Sequence, residues 1–360
     1  DWLNGSVNTS KSFDQKFLAA VIHPKIKNNC LSHGTYGKQF PSHDPCRYGN
    51  FVGDYSFWAG GWKGYVTGDN RGKTPYRYPK KFNRILHRSI MSCDSNSDFL
   101  DFWTLTAESW KKINVKPTLF LIERPGENID IDESLGDVIR IKLPDDEIHS
   151  IFAAQTVRLL APCLYPDENV TISDIDIIPL SKDYFFENIK KGSDKSFMIF
   201  RSSVCGDKQT SMCWNVAKGR IWADIFSIDA SFENYESRFL EKIKSWQPDN
   251  YKTAMSGYTT PREIMSVANS SPWFTDQVIL RSFVDRWNGT VVRLTDDQTG
   301  FSRLCHRTKP SPMHDHYTDF CPRRPPVHSL EYLGRSDLDN INSIKEVFDW
   351  YKIPWTYENE

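Results

Sequence analysis

The sequence has no long hydrophobic run and no excess of charge of one sign. Its 360 residues include 45 Lys and Arg and 46 Asp and Glu, so the formal net charge at pH 7 is −1. That balance gives the chain as a whole no electrostatic reason to bind nucleic acid or an anionic membrane. Since no stretch of about 18 apolar residues occurs, no segment of this chain is expected to span a bilayer.

Two short motifs that would point to other chemistries are also missing. The eight cysteines contain no Cys-x-x-Cys pair, which argues against a structural zinc site. No Gly-x-Ser-x-Gly sequence is present, which argues against a serine hydrolase. The composition, with 39% hydrophobic and 25% charged residues, is that of a globular protein.

The cysteines and the glycosylation sequons bear on the compartment. The even number of cysteines allows three local disulfides, Cys30–Cys46, Cys205–Cys213 and Cys305–Cys321. Five Asn-x-Ser/Thr sequons are present, at Asn4, Asn8, Asn169, Asn269 and Asn288. These features favour a secretory, Golgi-like lumen, and the alternative is a cytoplasmic or viral enzyme with reduced thiols.

A change of pattern near residue 81 divides the chain. Residues 1–80 are rich in Gly, Pro, Tyr and Trp and have little helical periodicity, so we expect a loop-rich extension packed on the main domain. Residues 81–360 form the expected main domain, which closes with a helix over 336–360.

Strands and helices alternate from Arg84 onwards. The predicted strands are "RILHRSIMSC", "PTLFLIE", "DVIRIKL" and "NVTIS", and the predicted helices among them are "SDFLDFWTLTAESWKKI" and "DEIHSIFAAQTVRLLAPCLY". A later helix in "SSPWFTDQVILRSFVDRW" is opened by Ser271 and Pro272. The alternation predicts an α/β fold with a mostly parallel central sheet flanked by helices, in which ligands bind beyond the carboxyl ends of the strands.

Two aspartates, Asp174 and Asp176, follow the fourth predicted strand directly. Burying a carboxylate is unfavourable unless it is paired or holds a metal. Mn²⁺ and Mg²⁺ prefer hard oxygen ligands and leave coordination positions for phosphate oxygens. The pair therefore predicts a divalent-cation site that binds a nucleoside diphosphate, and the alternative is an ordinary loop or capping pair.

The stretch "VRLLAPCLYPDENVTISDIDIIPL" resembles A-type nucleotide-sugar glycosyltransferases, in which an Arg-Leu-x-x-Pro helix leads to a strand ending in Asp-x-Asp. The resemblance spans roughly Arg84 to Leu294. It is greatest to the retaining family of glycogenin and bacterial galactosyltransferases, and to glycosyltransferases of large algal viruses. It implies a Rossmann-like GT-A fold in which Asp174 and Asp176 bind Mn²⁺ or Mg²⁺ and the donor diphosphate, with Arg158 approaching the donor.

The later stretch "WFTDQVIL" is similar to the Asp-Gln motif of the same enzymes. The similarity implies that Asp276 and Gln277 flank the reacting carbon of the donor sugar. If the reaction inverts configuration, Asp276 is the general base for the acceptor hydroxyl. If the reaction retains configuration, either residue positions the sugar. The alternative for Asp276 is an acidic residue placed at a helix N-terminus by the helix dipole.

The resemblance assigns further residues to the donor, the metal and the acceptor. It implies a nucleotide-sugar-binding half at 84–180 and an acceptor-binding half at 181–335. The candidates are Ser92 and Asp94 for the nucleoside, Lys309 for a phosphate, His306, His314 and His316 for the third metal ligand, and Trp214, Asn215 and Trp222 for the acceptor. The alternatives are a capping loop for the first two, surface positions for the histidines and the lysine, and the core for the tryptophans.

Three functions compete on this evidence. The first is a metal-dependent glycosyltransferase, hexosyl or pentosyl, that moves a sugar from a nucleoside-diphosphate donor to a hydroxyl of a glycan or glycoprotein. The second is a nucleotidyltransferase or phosphohydrolase that uses the same aspartates. The third is a carbohydrate-binding protein without catalysis, in which the aspartates hold Ca²⁺ and aromatic rings bind glycan.

Overall fold

The computed structural model of the protein describes residues 82–145, 147–205, 209–247, 274–305, 317–322 and 335–354. The predicted extension over 1–80 lies outside these ranges, as do the Cys30–Cys46 pair and the helix start at Ser271 and Pro272. Within the described part, no helix is both long enough and apolar enough to cross a membrane.

A seven-stranded sheet forms the centre of the described fold. Across the sheet the strands are β3 (Asp137–Lys142), β2 (Lys116–Glu123), β1 (Arg88–Cys93), β4 (Asn169–Ile172), β7 (Asn215–Lys218), β6 (Ser196–Ile199) and β8 (Thr290–Arg293). Every pairing is parallel except the two made by β7. A second, three-stranded sheet consists of β5 (Ile178–Pro179), β10 (Asp319–Cys321) and β9 (Arg303–Cys305).

Helices cover the central sheet. They are α1 (Ser97–Leu100), α2 (Trp103–Lys112), α3 (Ser150–Leu160), α4 (Lys182–Ile189), α5 (Gly219–Phe226), α6 (Tyr235–Trp246), α7 (Thr275–Arg286), α8 (Asp296–Thr299) and α9 (Arg335–Tyr351). The predicted α/β class, a mostly parallel central sheet flanked by helices, is confirmed.

Alternation along β2 divides the apolar core between the two faces of the sheet. Leu119 and Leu121 pack with α2 and α4 on one face, and Phe120 and Ile122 pack with α3, α5 and α6 on the other. Successive side chains of a strand point to opposite faces, so a strand buried on both faces is apolar throughout. This is why "PTLFLIE" is apolar without alternation.

Several predicted boundaries are wrong. Helix α3 begins at Ser150 rather than at Asp146, with His149 as its N-cap, and α9 ends at Tyr351 rather than at Glu360. The helix expected to run unbroken from Ser97 is divided between α1 and α2, and Asn96 caps α1 by accepting a hydrogen bond from the backbone of Asp98. The break lets two consecutive aromatic residues, Phe102 and Trp103, both be buried. Strand β1 begins at Arg88 rather than Arg84, because its neighbours in the sheet pair only from Arg88 onwards.

The three predicted acceptor-binding residues, Trp214, Asn215 and Trp222, lie in the core. All three are 0% exposed. Trp214 packs edge-on against Phe185 with ring centroids 5.0 Å apart, and Trp222 packs against Phe197 at 4.9 Å. The acceptor assignment is therefore wrong, because a ring enclosed by protein has no face to offer a sugar.

Two of the sequons differ in accessibility. Asn169 is 2% exposed, its side-chain oxygen accepts hydrogen bonds from Arg84, and its amide donates to the Ile85 carbonyl at 2.9 Å. Asn288 is exposed in the loop between α7 and β8. In the folded protein Asn169 is consequently a structural residue, whereas Asn288 is accessible to modification.

Replacing Trp222 by alanine tests the burial of this residue. We expect the free energy of unfolding to fall by about 3–5 kcal/mol, because the change leaves a cavity between the sheet and α5. Trp350→Ala is the matched control, since Trp350 is 40% exposed, and its effect should stay within about 0.5 kcal/mol. Urea denaturation measures both values. Parental stability in the Trp222 variant would contradict the core assignment.

Candidate functional site

A cleft of about 630 Å³ opens beyond the carboxyl ends of β1 and β4. Strands β1, β2 and β3 extend the sheet in one direction, and the chain then returns to place β4 on the other side of β1. Where the strand order reverses in this way, the connecting loops separate and leave a crevice. Ser92 and Asp94 line the cleft after β1, and Asp174 and Asp176 line it after β4.

The segment after β4 alternates between acidic and apolar side chains. Ile175 and Ile177 are 3% and 4% exposed and belong to the core on the α2 face. Helix α2 fixes the segment from behind, since Thr106 Oγ1 donates to the Ile175 carbonyl at 2.7 Å. The two isoleucines therefore hold the backbone in place while Asp174 and Asp176 face the cleft.

Arg158, in the last turn of α3, joins two carboxylates of the cleft. Its Nη1 donates to Asp174 Oδ1, and its Nη2 donates to Asp276 Oδ2 at 2.6 Å. The arginine is only 8% exposed, and a buried guanidinium needs carboxylate partners of this kind. The sequence predicted that Arg158 approaches the donor. That role stays a prediction, and the contacts made here are to the two aspartates.

The two aspartates after β4 have opposite pKa shifts. Burial raises the pKa of Asp174, but the Arg158 charge and the Cys213 thiol outweigh burial and bring it below 3.8. Burial and the neighbouring charge of Asp174 raise the pKa of Asp176 to about 6. No side chain in the described ranges bonds to the Asp176 carboxylate, whereas each oxygen of Asp174 accepts a hydrogen bond from a side chain.

The predicted catalytic residues begin α7. Asp276 is 2% exposed, and its Oδ1 accepts a hydrogen bond from the Gln277 backbone at 2.8 Å while its Oδ2 accepts from Arg158. Burial raises the pKa of Asp276, although Arg158 opposes this effect. With both oxygens engaged, Asp276 orients Arg158, and its role as a general base stays a prediction. Gln277 lines the cleft as expected.

The predicted Cys205–Cys213 disulfide is wrong. Cys213 Sγ donates to Asp174 Oδ2 at 3.1 Å, and Cys205 Sγ donates to Gln277 Oε1 at 3.4 Å. Burial raises the pKa of both thiols, so both are protonated donors at neutral pH. Cys305 and Cys321 are register partners in β9 and β10, and their disulfide stays a prediction.

The predicted nucleoside-binding residues connect β1 to α3. Ser92 Oγ donates to the Ala154 carbonyl, and Asp94 Oδ2 accepts a hydrogen bond from Ser150 Oγ at 2.8 Å. Both residues line the cleft, and they are 8% and 4% exposed. Their contacts set the spacing between the end of the strand and the helix that carries Arg158.

Two cleft arginines, Arg201 and Arg303, were not predicted. Arg201 lies just past the carboxyl end of β6, and a strand-end cation was visible in "SFMIFR". Arg303 begins β9, and nothing local marks it. It reaches the cleft because β9 pairs with β10 beside the segment that carries the Asp pair.

Two residues of the predicted metal site lie within the described ranges. Asp174 and Asp176 supply hard carboxylate oxygens of the kind that suits Mn²⁺ or Mg²⁺. The predicted further ligands His306, His314 and His316, and the phosphate ligand Lys309, lie outside the described residues. Within those residues, no group of three or more His, Cys, Asp or Glu side chains is placed to hold a metal.

Comparison with known proteins gives distant likenesses. No family model and no curated protein matches the sequence. Among solved structures, the glycosyltransferase GlyE of Streptococcus pneumoniae TIGR4 is 12% identical with a TM-score of 0.36, over 76% of this chain and 66% of that chain. The galactosyltransferase LgtC, in complex with donor and acceptor sugar analogs, is 11% identical with a TM-score of 0.36, over 75% and 98%.

The bifunctional glycosyltransferase WbbM is 13% identical with a TM-score of 0.33, over 74% of this chain and 52% of that chain. This chain thus spans just under two thirds of GlyE and about half of WbbM. At these values the likeness carries no functional argument, and the function has to be argued from the cleft.

The raised pKa of Asp176 predicts a pH-dependent stability in metal-free protein. Between the unfolded pKa of about 3.9 and the folded value of about 6, the folded state retains a proton that the unfolded state has lost. Stability therefore falls as pH rises through this window. Asp176→Asn should raise the thermal midpoint at about pH 8 and change it little at about pH 4.

Thermal unfolding in EDTA at the two pH values measures the effect. Asp167→Asn is the control, because the Asp167 side chain is 86% exposed. An Asp176 variant that is less stable than the parent at the higher pH would show that the surroundings do not destabilise the ionised carboxylate.

Proposed function

We propose that this protein is a metal-dependent glycosyltransferase that moves a hexosyl or pentosyl group from a nucleoside-diphosphate donor to a hydroxyl of a glycan or glycoprotein. One observation carries the proposal. Two carboxylates, one of them without a side-chain partner among the described residues, face a cleft at the switch point of a mostly parallel sheet. Such crevices bind nucleotides, and such carboxylates bind the cation that accompanies a diphosphate.

The charges of the cleft support the need for a cation. Arg158 is matched by Asp174 and Asp276, Arg201 by Asp296, and Arg303 by Asp319. Arg158 carries one positive charge against the two negative charges of Asp174 and Asp276, so a diphosphate entering the cleft meets net negative charge there and at Asp176. Asp174 and Asp176 would hold a divalent cation, which would remove that repulsion and stabilise a diphosphate leaving group.

Each remaining residue of the cleft takes a role set by its position. Ser92 and Asp94 bind the nucleoside at the end of β1, and Gln277 contacts the donor sugar. Arg158 keeps Asp174 oriented and keeps the start of α7 close to it. His306, His314 and His316 are the candidates that complete the ligand set, and Lys309 is the candidate for the diphosphate.

The two competing functions receive less support. A nucleotidyltransferase would use the same aspartates but would release pyrophosphate from a nucleoside triphosphate. A carbohydrate-binding protein without catalysis needs exposed aromatic rings, and Trp214 and Trp222 are enclosed in the core. Product analysis separates the first of these functions from sugar transfer.

A screen of nucleotide sugars with Mn²⁺, scored for release of nucleoside diphosphate, tests the proposal. We expect turnover with one donor, and its loss on adding EDTA. Asp174→Asn and Asp176→Asn should each lower kcat by about 100-fold or more, since each removes charge from the cation site. Asp167→Asn, on the exposed surface, should keep the parental rate.

Two outcomes would contradict the proposal. The first is parental turnover in both variants of the Asp pair. The second is release of pyrophosphate from a nucleoside triphosphate with no nucleoside diphosphate from any sugar donor, which would assign nucleotidyl transfer instead.

A further inference from the structure

We propose that Arg201 and Arg303, which both pack against the Phe301 ring, form a phosphate-binding subsite in the cleft. The inference adds two residues to the site described above, and only the identification of its phosphate with the donor diphosphate rests on the proposed glycosyltransferase function. Both arginines line the cleft together with Asp174 and Asp176.

Each of the two guanidinium groups is held along one edge by a carboxylate. Arg303 donates from Nε and Nη2 to the two oxygens of Asp319, at 2.7 and 2.9 Å, and Asp319 is 0% exposed. Arg201 donates from Nε and Nη2 to Asp296, at 3.4 and 3.2 Å. A carboxylate bound in this bidentate way fixes the plane of a guanidinium as well as its position.

The Phe301 ring packs against the guanidinium groups of both arginines. The guanidinium carbon of Arg201 lies 3.7 Å from the centroid of the Phe301 ring, and that of Arg303 lies 5.5 Å from it. Cations stack on aromatic faces at these distances. One ring therefore orders both arginines, so binding an anion would lose little side-chain freedom.

The end of each guanidinium that carries Nη1 and the second hydrogen of Nη2 is left for a ligand. No hydrogen bond or ion pair among the described residues uses Nη1 of either arginine. The side chains of Arg201 and Arg303 are 12% and 26% exposed. Asp319 and Asp296 balance the positive charges, so the subsite offers directional donors rather than net charge. Planar donor pairs of this kind suit the oxygens of a phosphate.

Two sources would supply the phosphate. One is the diphosphate of the donor, and the other is a phosphate monoester on the acceptor. The two sources differ in how they compete, because inorganic pyrophosphate mimics the first and a simple sugar phosphate mimics the second.

Calorimetric binding of inorganic pyrophosphate to the full chain in EDTA tests the subsite without the cation, with Asp176→Asn introduced into the parent and every variant so that this carboxylate does not repel the probe. We expect binding by the parent, and a dissociation constant raised about 10-fold or more by Arg201→Gln and by Arg303→Gln, since each removes hydrogen bonds to a charged group. Arg220→Gln is the control, because the Arg220 side chain is 53% exposed and its one ion pair with a described residue is to the exposed Asp167. It should bind like the parent.

Arg303→Gln leaves Asp319 buried without its partner, so the double change of Arg303→Gln with Asp319→Asn is the second variant. It should fold, as followed by its thermal midpoint, and still bind pyrophosphate more weakly. Competition by a sugar phosphate as strong as that by pyrophosphate would assign the subsite to the acceptor, and weaker competition would assign it to the donor.

The proposal is overturned if the parent does not bind pyrophosphate, or if folded variants bind it as the parent does. These results are distinct from failure of the proposed function. That function is tested by turnover of a nucleotide sugar in the Asp174 and Asp176 variants, whereas pyrophosphate binding in EDTA requires neither turnover nor metal.

Discussion

The candidate site depends on one buried interaction, the bridge from Asp174 through Arg158 to Asp276. It connects the end of β4, the last turn of α3 and the start of α7, and the two ends of the bond to Asp276 lie 118 residues apart in sequence. Arg158 and Asp276 are buried, and Asp174 is partly exposed to the cleft, so the guanidinium is tolerated there only because it has carboxylate partners. Removing Arg158 would leave two carboxylates without their shared cation, so the arginine holds the loops around the cleft as a unit.

Asp176 differs from its neighbour because no side chain among the described residues donates to its carboxylate, and the charges of Arg303 and Arg158 offset burial only in part. The isoleucines on either side and the bond from Thr106 keep the backbone in place, so the Asp176 carboxylate stays in the wall of the cleft within the influence of the Asp174 charge. The raised pKa of Asp176 results from this burial beside a second carboxylate. A carboxylate that its surroundings destabilise, on a backbone that packing holds in place, indicates a functional site more strongly than a satisfied ion pair does.

The elements that could be predicted are those that a short, continuous stretch of sequence indicates by itself. Apolar runs located β2 and β4, an apolar helical run with a proline stop signal located α3, and the position of Asp174 and Asp176 followed from the strand that precedes them. Tertiary packing decided the rest. Whether Trp222 faces a groove or the core depends on Phe197, 25 positions away in the printed sequence. Arg303 enters the cleft only because β9 pairs with β10, which a scan of local pattern does not detect.

The matching of each cleft arginine with an aspartate explains how the site would discriminate between ligands. If the guanidinium groups were unpaired, any anion would be attracted by net charge, and the attraction would be non-directional. Because Asp276, Asp296 and Asp319 neutralise them, binding energy has to come from hydrogen bonds of defined direction and from a cation at the Asp pair. A ligand then has to present phosphate oxygens to both at once. A diphosphate satisfies that condition, whereas a carboxylate or an isolated sugar does not.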